Sequence, residues 1–329
     1  MNFFESLEKR GVTITLAQKK AIEERFTHAL EYAPVIGIFG KTGVGKSSLC
    51  NSLFGQDVCP ISDVKACTRN TQEVLLDLGG GKGFSLLDVP GVGETNERDA
   101  EYAELYAKLL PEIDLVLWVL KADERAFSSD EMFYKEIVKP HIRQGKPFYF
   151  VLNQVDKIEP CREWDIEAHK PGVKQFSNIG LKIDDVAQTF GYPKTQVLAV
   201  AANERYNLVN LLDTVIYALP NAKRVTVYCK VPKENRSKEQ ETFAKEGLAD
   251  EIRRIIREEL GDRAAEESDE VFEEEPDFLT NLLGTAKKVI DFISKIFPKR
   301  PPGPGGPGPL DGPFCGPFNG PLGGPFLGI

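Results

Sequence analysis

No run of about 18 consecutive apolar residues occurs in this 329-residue chain, so a membrane-spanning helix is not expected. The first ten residues hold no basic region leading into an apolar run, so a secretory leader is not expected either. Cysteine is sparse: six residues, at positions 50, 59, 67, 161, 229 and 315, form no CxxC pair. That argues against a disulfide framework and against a zinc site, and it fits a reducing compartment, the cytoplasm. A basic excess is missing as well. The net charge is −9, and residues 250–277 alone carry 13 acidic against 4 basic side chains, which accounts for all of it. The rest of the chain is near neutral and shows no bulk footprint for nucleic acid, which is therefore not an expected partner.

What is present alternates between two periodicities. Residues 1–33 read as helical, with Leu16, Ile22, Phe26 and Leu30 near helical spacing, and Pro34 stops the helix. Residues 35–40 (VIGIFG) form a continuous apolar run, the mark of a strand covered on both faces. A glycine-rich turn and a helix over 46–54 follow. Strand-like runs recur at 73–78, 84–89, 115–120, 148–153 and 197–201, with helical stretches at 100–110, 129–142, 181–190 and 208–219. The glycine-rich segment 79–83 makes the first two of those runs a hairpin. An α/β fold follows, with a mostly parallel sheet, one antiparallel edge strand and a core domain over about 34–220.

Past Pro220 the pattern breaks into three parts. Residues 221–277 read as a charged, acidic linker with a short helix around 248–260. Residues 278–300 are a separate amphipathic helix. Placed on a helical wheel, Phe278, Leu279, Leu282, Leu283, Ala286, Val289, Ile290, Phe292, Ile293, Ile296 and Phe297 fill one half-cylinder. Lys287, Lys288 and Lys295 lie on the other half. Two occupants of that apolar face stay open: a membrane surface, or the protein itself, within the chain or in a homodimer or larger assembly. Residues 301–329 hold 9 Pro and 10 Gly, a composition that forms no packed element and reads as a disordered tail.

The chemistry is concentrated in three short segments. Gly40-Lys41-Thr42-Gly43-Val44-Gly45-Lys46-Ser47 matches the phosphate-loop pattern GxxxxGK[ST], with a strand before it and a helix carrying Ser48 after it. Its glycines let backbone N–H groups curl around a phosphate, and the helix aims its N-terminus at the anion. Lys46 is placed to bridge β- and γ-phosphates and the Ser47 hydroxyl to ligate Mg²⁺. Asp88-Val89-Pro90-Gly91 follows a strand, where the carboxylate can support Mg²⁺ and the Gly91 N–H can meet the γ-phosphate. Asn153-Gln154-Val155-Asp156 also follows a strand. There the Asp156 carboxylate can accept hydrogen bonds from N1 and N2 of guanine, which adenine does not offer, while Asn153 braces the loop.

This ordered set, together with Thr68 and the AVAA run at 199–202, resembles the Era-like P-loop GTPases of the translation-factor class. ACTR (66–69), DVPGVGE (88–94), DLVLWVLKADERA (114–126) and the LFG after the phosphate loop are more closely similar to bacterial YfjP-type GTPases. The resemblance covers roughly residues 30–220 and implies a three-layer αβα G domain that hydrolyses GTP with Mg²⁺. It implies Thr68 as the switch threonine closing on Mg²⁺ and the γ-phosphate, with Thr71 as the fallback. It also implies a base-supporting loop at Ala201-Ala202, where a backbone N–H meets guanine O6. Three departures bear on function. Gln154 stands where the family carries Lys, which points to micromolar nucleotide affinity. Val92 stands where Ras-like enzymes carry a water-positioning Gln, so water must be oriented by backbone, Glu94 or a partner. Gly43 stands where potassium-activated relatives carry Asn, so no potassium stimulation is expected.

Lys46, Thr68 and Gly91 are thus the expected catalytic positions, and Ser47, Thr68 and Asp88 the metal positions. Residues 40–48, Asn153, Gln154, Asp156, Ala201 and Ala202 are expected to hold the nucleotide. Arg69 and Arg125 are the candidates for an arginine finger. Slow GTP hydrolysis in a molecular switch is the expected activity. The alternative is a GTP-regulated assembly or membrane-associated module with negligible hydrolysis.

Overall fold

The computed structural model describes residues 3–30, 34–41, 43–54, 72–77, 83–88, 110–125, 127–142, 145–274 and 277–284. Helices α1 (Phe3–Lys9) and α2 (Leu16–Leu30) lead into β1 (Val35–Phe39) and α3 (Lys46–Phe54). Strands β2 (Gln72–Asp77), β3 (Gly83–Asp88) and β4 (Leu115–Lys121) come next, then the short α4 (Ser128–Phe133) and β5 (Phe148–Asn153). Helix α5 (Val173–Phe190), β6 (Val197–Ala199) and α6 (Leu208–Ala218) complete the alternating part. Three more helices follow, α7 (Asn221–Lys230), α8 (Lys238–Leu260) and α9 (Asp262–Glu274), and residues 277–284 are helical too.

The strands form one sheet in the order β2-β3-β1-β4-β5-β6. Strand β1 lies parallel to β3 and β4, β4 to β5, and β5 to β6, while β2 at the edge runs antiparallel to β3. The apolar runs become central strands because both faces are covered: from Leu115 to Leu120 no residue is more than 1% exposed. Alternate residues serve different cores. Ile36, Ile38, Leu117 and Val119 pack with Leu49 and Leu53 of α3 and Leu212 and Ile216 of α6. Phe39, Trp118 and Leu120 face Phe133, Ile179 and Phe190 of α4 and α5. The register pairs Ile38 with Asp88, Phe39 with Trp118 and Lys121 with Asn153. All three sequence motifs therefore emerge at one edge, the carboxyl ends of the parallel strands, where open α/β sheets bind ligands.

A third core corrects the reading of 221–277 as a linker with a short helix. Helix α8 runs for 23 residues. Ala244, Leu248, Ile252, Ile255 and Ile256 line one buried stripe on it, spaced as a helix face requires. They pack with Phe4, Leu7, Ile22, Val225, Ala265 and Val271 from α1, α2, α7 and α9. The acidic count hid this period, because most of the acids sit on the outer faces, and several are partly neutralised by arginines. Arg253 pairs with Asp269, Arg254 with Glu251 and Glu258, and Arg25 with Glu258 and Glu259. Residues 1–33 also differ from one continuous helix, since Gly11, at φ +82°, turns the chain between α1 and α2.

The start of the amphipathic segment joins the same layer. Phe278 stacks on Phe3 at 5.1 Å and on Phe272 at 5.9 Å between ring centroids, and Leu283 is buried. The remainder, 285–300, and the tail 301–329 lie outside the described residues, as does the expected helix at 100–109. Among the described residues, no helix is long and apolar enough to cross a membrane.

Candidate nucleotide-binding site

The loop between β1 and α3 takes conformations open mainly to glycine. Gly40, Gly43 and Gly45 have φ of +139°, +84° and +88°. Two of them also lack room for a side chain: a Cβ on Gly40 would stand 2.3 Å from the Val119 carbonyl oxygen, and one on Gly45 would stand 2.6 Å from Asn153 Nδ2. Lys46, in the first turn of α3, is buried. Its Nζ donates to the carbonyls of Gly40, at 3.0 Å, and Lys41, at 3.2 Å. The ammonium is thus pinned across the loop's own mouth, among backbone dipoles oriented toward it. Ser47 and Ser48 follow in the same turn, and Val44 is buried beneath the loop.

The second segment is tied to the first through one amide. Asn153 is 1% exposed. Its Nδ2 donates to the Val44 carbonyl at 2.9 Å, and its Oδ1 accepts the Ala202 N–H at 3.1 Å. One side chain therefore spans the phosphate loop and the loop after β6. Gln154 sits in the left-handed region at φ +64°, a sparse conformation for a residue with a Cβ. It reaches back to donate from Nε2 to the Gly43 carbonyl at 3.3 Å, while Lys157 Nζ donates to its Oε1 at 2.7 Å. Gln154 thus lies against the phosphate loop.

Asp156 is half-buried in the turn after β5. Burial raises its pKa above the ordinary carboxylate value, and the charges of Glu204 and Asp123 add to that, while its backbone hydrogen bond and Lys157 oppose it. Gln175 of α5 holds this turn from behind, donating from Nε2 to the carbonyls of Asp156 and Ile158, both at 2.9 Å. Facing it is the turn from Ala201 to Tyr206, closed by a bridge between those two residues. The Ala201 N–H donates to the Tyr206 carbonyl and the Ala202 N–H to Asn153, so both are engaged within the protein.

Several expected positions stand elsewhere. Asp88 is the last residue of β3, level with Ile38 of β1 in register. Its carboxylate and the Ser47 hydroxyl are hard oxygen donors of the kind Mg²⁺ takes, carried by adjacent elements. Thr42, Thr68, Thr71, Gly91, Val92, Glu94 and Arg69 lie outside the described residues. Arg125 is exposed in the turn after β4. The motifs gave no sign of one further contact. Lys41 Nζ lies 2.5 Å from Asp130 Oδ2 and 3.5 Å from Glu124 Oε1. Burial raises the Asp130 pKa and Lys41 opposes that shift, so this ion pair fastens the start of the phosphate loop to α4. Nothing in the sequence singles out an Asp in a helix with no motif.

Comparison with known proteins agrees with this geometry. The profile of the 50S ribosome-binding GTPase family matches residues 35–154. The uncharacterized protein YfjP of Escherichia coli (strain K12) is 41% identical over 199 residues, 60% of this chain and 67% of that protein. YkfA of the same organism is 42% identical over 197 residues, 60% of this chain and 66% of that protein. GTPase Era of Aquifex aeolicus (strain VF5) is 28% identical over 192 residues, 57% of each chain. The match thus spans about two thirds of the length of YfjP and of YkfA. On the matched profile, the shared sequence and the loop geometry together, the chain belongs with the YfjP-type proteins and carries a P-loop GTPase domain similar to that of GTPase Era.

Proposed function

We propose that this protein is a guanine-nucleotide switch that hydrolyses GTP slowly, with Mg²⁺. The single observation carrying this reading is the buried Asn153 amide, which binds Val44 of the phosphate loop and Ala202 of the opposite turn at once. Such a brace suits a ligand with a phosphate end and a base end at fixed separation. At the phosphate end, backbone N–H groups of residues 43–47 receive the β-phosphate at the N-terminus of α3. Lys46, held across the loop by two carbonyls, is placed to meet the β- and γ-phosphates. At the base end, the Asp156 carboxylate accepts from guanine N1 and N2. Guanine O6 takes a backbone N–H of the 201–206 turn. Ala201 and Ala202 use theirs inside the protein, so Asn203 is the next donor in line.

Ser47, Asp88 and Thr68 would hold Mg²⁺, which when bound supplies charge neutralisation between the β- and γ-phosphates. The Val92 position lacks a side chain able to orient water, which favours a slow intrinsic rate and completion of the site by a partner or a second copy. Packing of Phe278 and Leu283 against the helical layer favours the protein over a membrane as the occupant of that apolar face.

Base selectivity tests the reading directly. Asp156→Asn should weaken GDP binding about a hundredfold while gaining xanthine nucleotide, because the amide N–H then faces the guanine N2 amino group, which needs an acceptor, whereas xanthine offers O2 at that position. Unchanged GDP affinity, measured by calorimetry, would refute the assignment.

A further inference from the structure

Residues 231–237 connect α7 to α8 where the C-terminal helical layer meets α3 and the turn after β6. Asn235 lies in this connection and is 2% exposed. Its Nδ2 donates to the carbonyls of Ser52, at 2.9 Å, and Leu53, at 2.8 Å. Both belong to the last turn of α3, whose carbonyls have no donor within the helix. Its Oδ1 accepts from Arg205 Nη2 at 2.8 Å, and its own carbonyl accepts from Gln240 Nε2 at 3.0 Å. Arg205 belongs to the turn that faces Asp156 and has φ +54°, a strained value for a side-chain-bearing residue. A second bond runs beside the first, from Ser52 Oγ to the Ala202 carbonyl at 2.8 Å.

Helix α3 is therefore held to the base turn at both ends. Asn153 joins them at the phosphate loop, and Asn235 with Ser52 joins them at the far end. The far-end clamp is not supplied by the G domain alone. Asn235 is fixed by Gln240, and Gln240 and Ser237 are fixed by Asp213 of α6 at 2.7 Å each. The chain leaves α3 at Phe54 and runs on toward Thr68, so the clamp sits at the root of the segment that carries the switch threonine.

We propose that Asn235 is a positioning residue for the nucleotide reaction: it locks the last turn of the phosphate-binding helix to the base turn, so that the helical layer sets how long nucleotide is retained. The proposal rests on the guanine-nucleotide reading of the site. Removing the amide leaves two helix-terminal carbonyls without their donor and leaves Arg205 only its longer contact with Glu234, so the base turn can swing away from α3 without unfolding the sheet.

The test is release of methylanthraniloyl-GDP from the full chain, measured by stopped flow, in Asn235→Ala, Arg205→Met, their double variant and Ser268→Ala. Each of the first two should release nucleotide about threefold to tenfold faster, as loss of a buried hydrogen bond predicts. The double variant should be no faster than the quicker single, because both break one clamp. Ser268→Ala removes a buried hydrogen bond within α9, from Ser268 Oγ to the Ala265 carbonyl at 2.6 Å, and involves no residue of the clamp. It should lower the thermal midpoint and leave release unchanged. Release at the wild-type rate in Asn235→Ala, or effects that multiply in the double variant, would overturn the proposal. Should Asn235→Ala fail to fold, Arg205→Met decides alone, since its side chain is half exposed and its loss spares the core. A wild-type chain that binds no probe would count against the nucleotide reading instead.

Discussion

Asn153 gains its weight from making two hydrogen bonds in a place water does not reach. Asn153→Ala leaves the Val44 carbonyl and the Ala202 N–H buried without partners, a cost of about 1–3 kcal/mol each. GDP affinity should fall at least tenfold, and urea unfolding should show the same order of destabilisation. Gly45→Ala should act through the same contact, because its Cβ would drive into Asn153 Nδ2 from a backbone at φ +88°. A GDP affinity within twofold of wild type for Gly45→Ala would contradict that coupling. Asp156 adds a pH dependence. Guanine needs its ionised form, and burial raises its pKa, so GDP affinity should fall on acidification at a pH above the ordinary carboxylate range. Without nucleotide the folded state binds the proton more tightly than the unfolded chain. Its contribution to stability is therefore present below the unfolded pKa and lost as pH rises through the raised one. Asp156→Asn should flatten both limbs. At this scale the sequence was informative where a function restricts residue type: a lysine after glycine, a carboxylate after a strand. Lys41–Asp130, Gln175 and Asn235 escaped it because ordinary polar residues acquire those roles only from tertiary proximity.

At the scale of elements, β1, β4, β5, α3 and α6 could be read to within a residue or two. Doubly covered strands must be continuously apolar, and a phosphate loop needs a strand before it and a helix after it. Helix α8 could not be read so easily. Its stripe from Ala244 to Ile256 is periodic, but acidic neighbours dominate any composition count over that stretch. Gly247, a poor helix former, is needed there because a Cβ would stand 2.5 Å from the Asn221 carbonyl oxygen of α7. Two predictions belong here. Ile256→Ala should cost about 2–5 kcal/mol of unfolding free energy, as deletion from a closed core does, and equilibrium urea denaturation reads it. Gly40→Ala should leave little folded protein, since no flexible atom can yield to its Cβ: the Val119 carbonyl oxygen is backbone of a central strand.

For the whole molecule, the feature that sets this chain apart from a bare G domain is the helical layer. It is built from both sides of the sheet domain in sequence: α1 and α2 precede β1, and α7 to α9 follow α6, yet they share one core. Neither half buries its apolar face alone, so a chain lacking residues 1–30 should bind hydrophobic dye and melt at a lower temperature while keeping the sheet's circular dichroism. The layer also touches the sheet domain, through Asn235 at the end of α3 and through Lys223 on Asp114 just before β4. The G domain thus carries the chemistry, and the layer supplies part of its rigidity.

The most direct test of the central claim is phosphate release from GTP at increasing protein concentration, with Lys46→Ala as the reference. A slow, Mg²⁺-dependent release above that reference is the predicted result, and a specific rate that climbs with concentration would mean that a second copy completes the site. Release indistinguishable from Lys46→Ala at every concentration, with GDP still bound, would contradict the account and leave a binding module in its place.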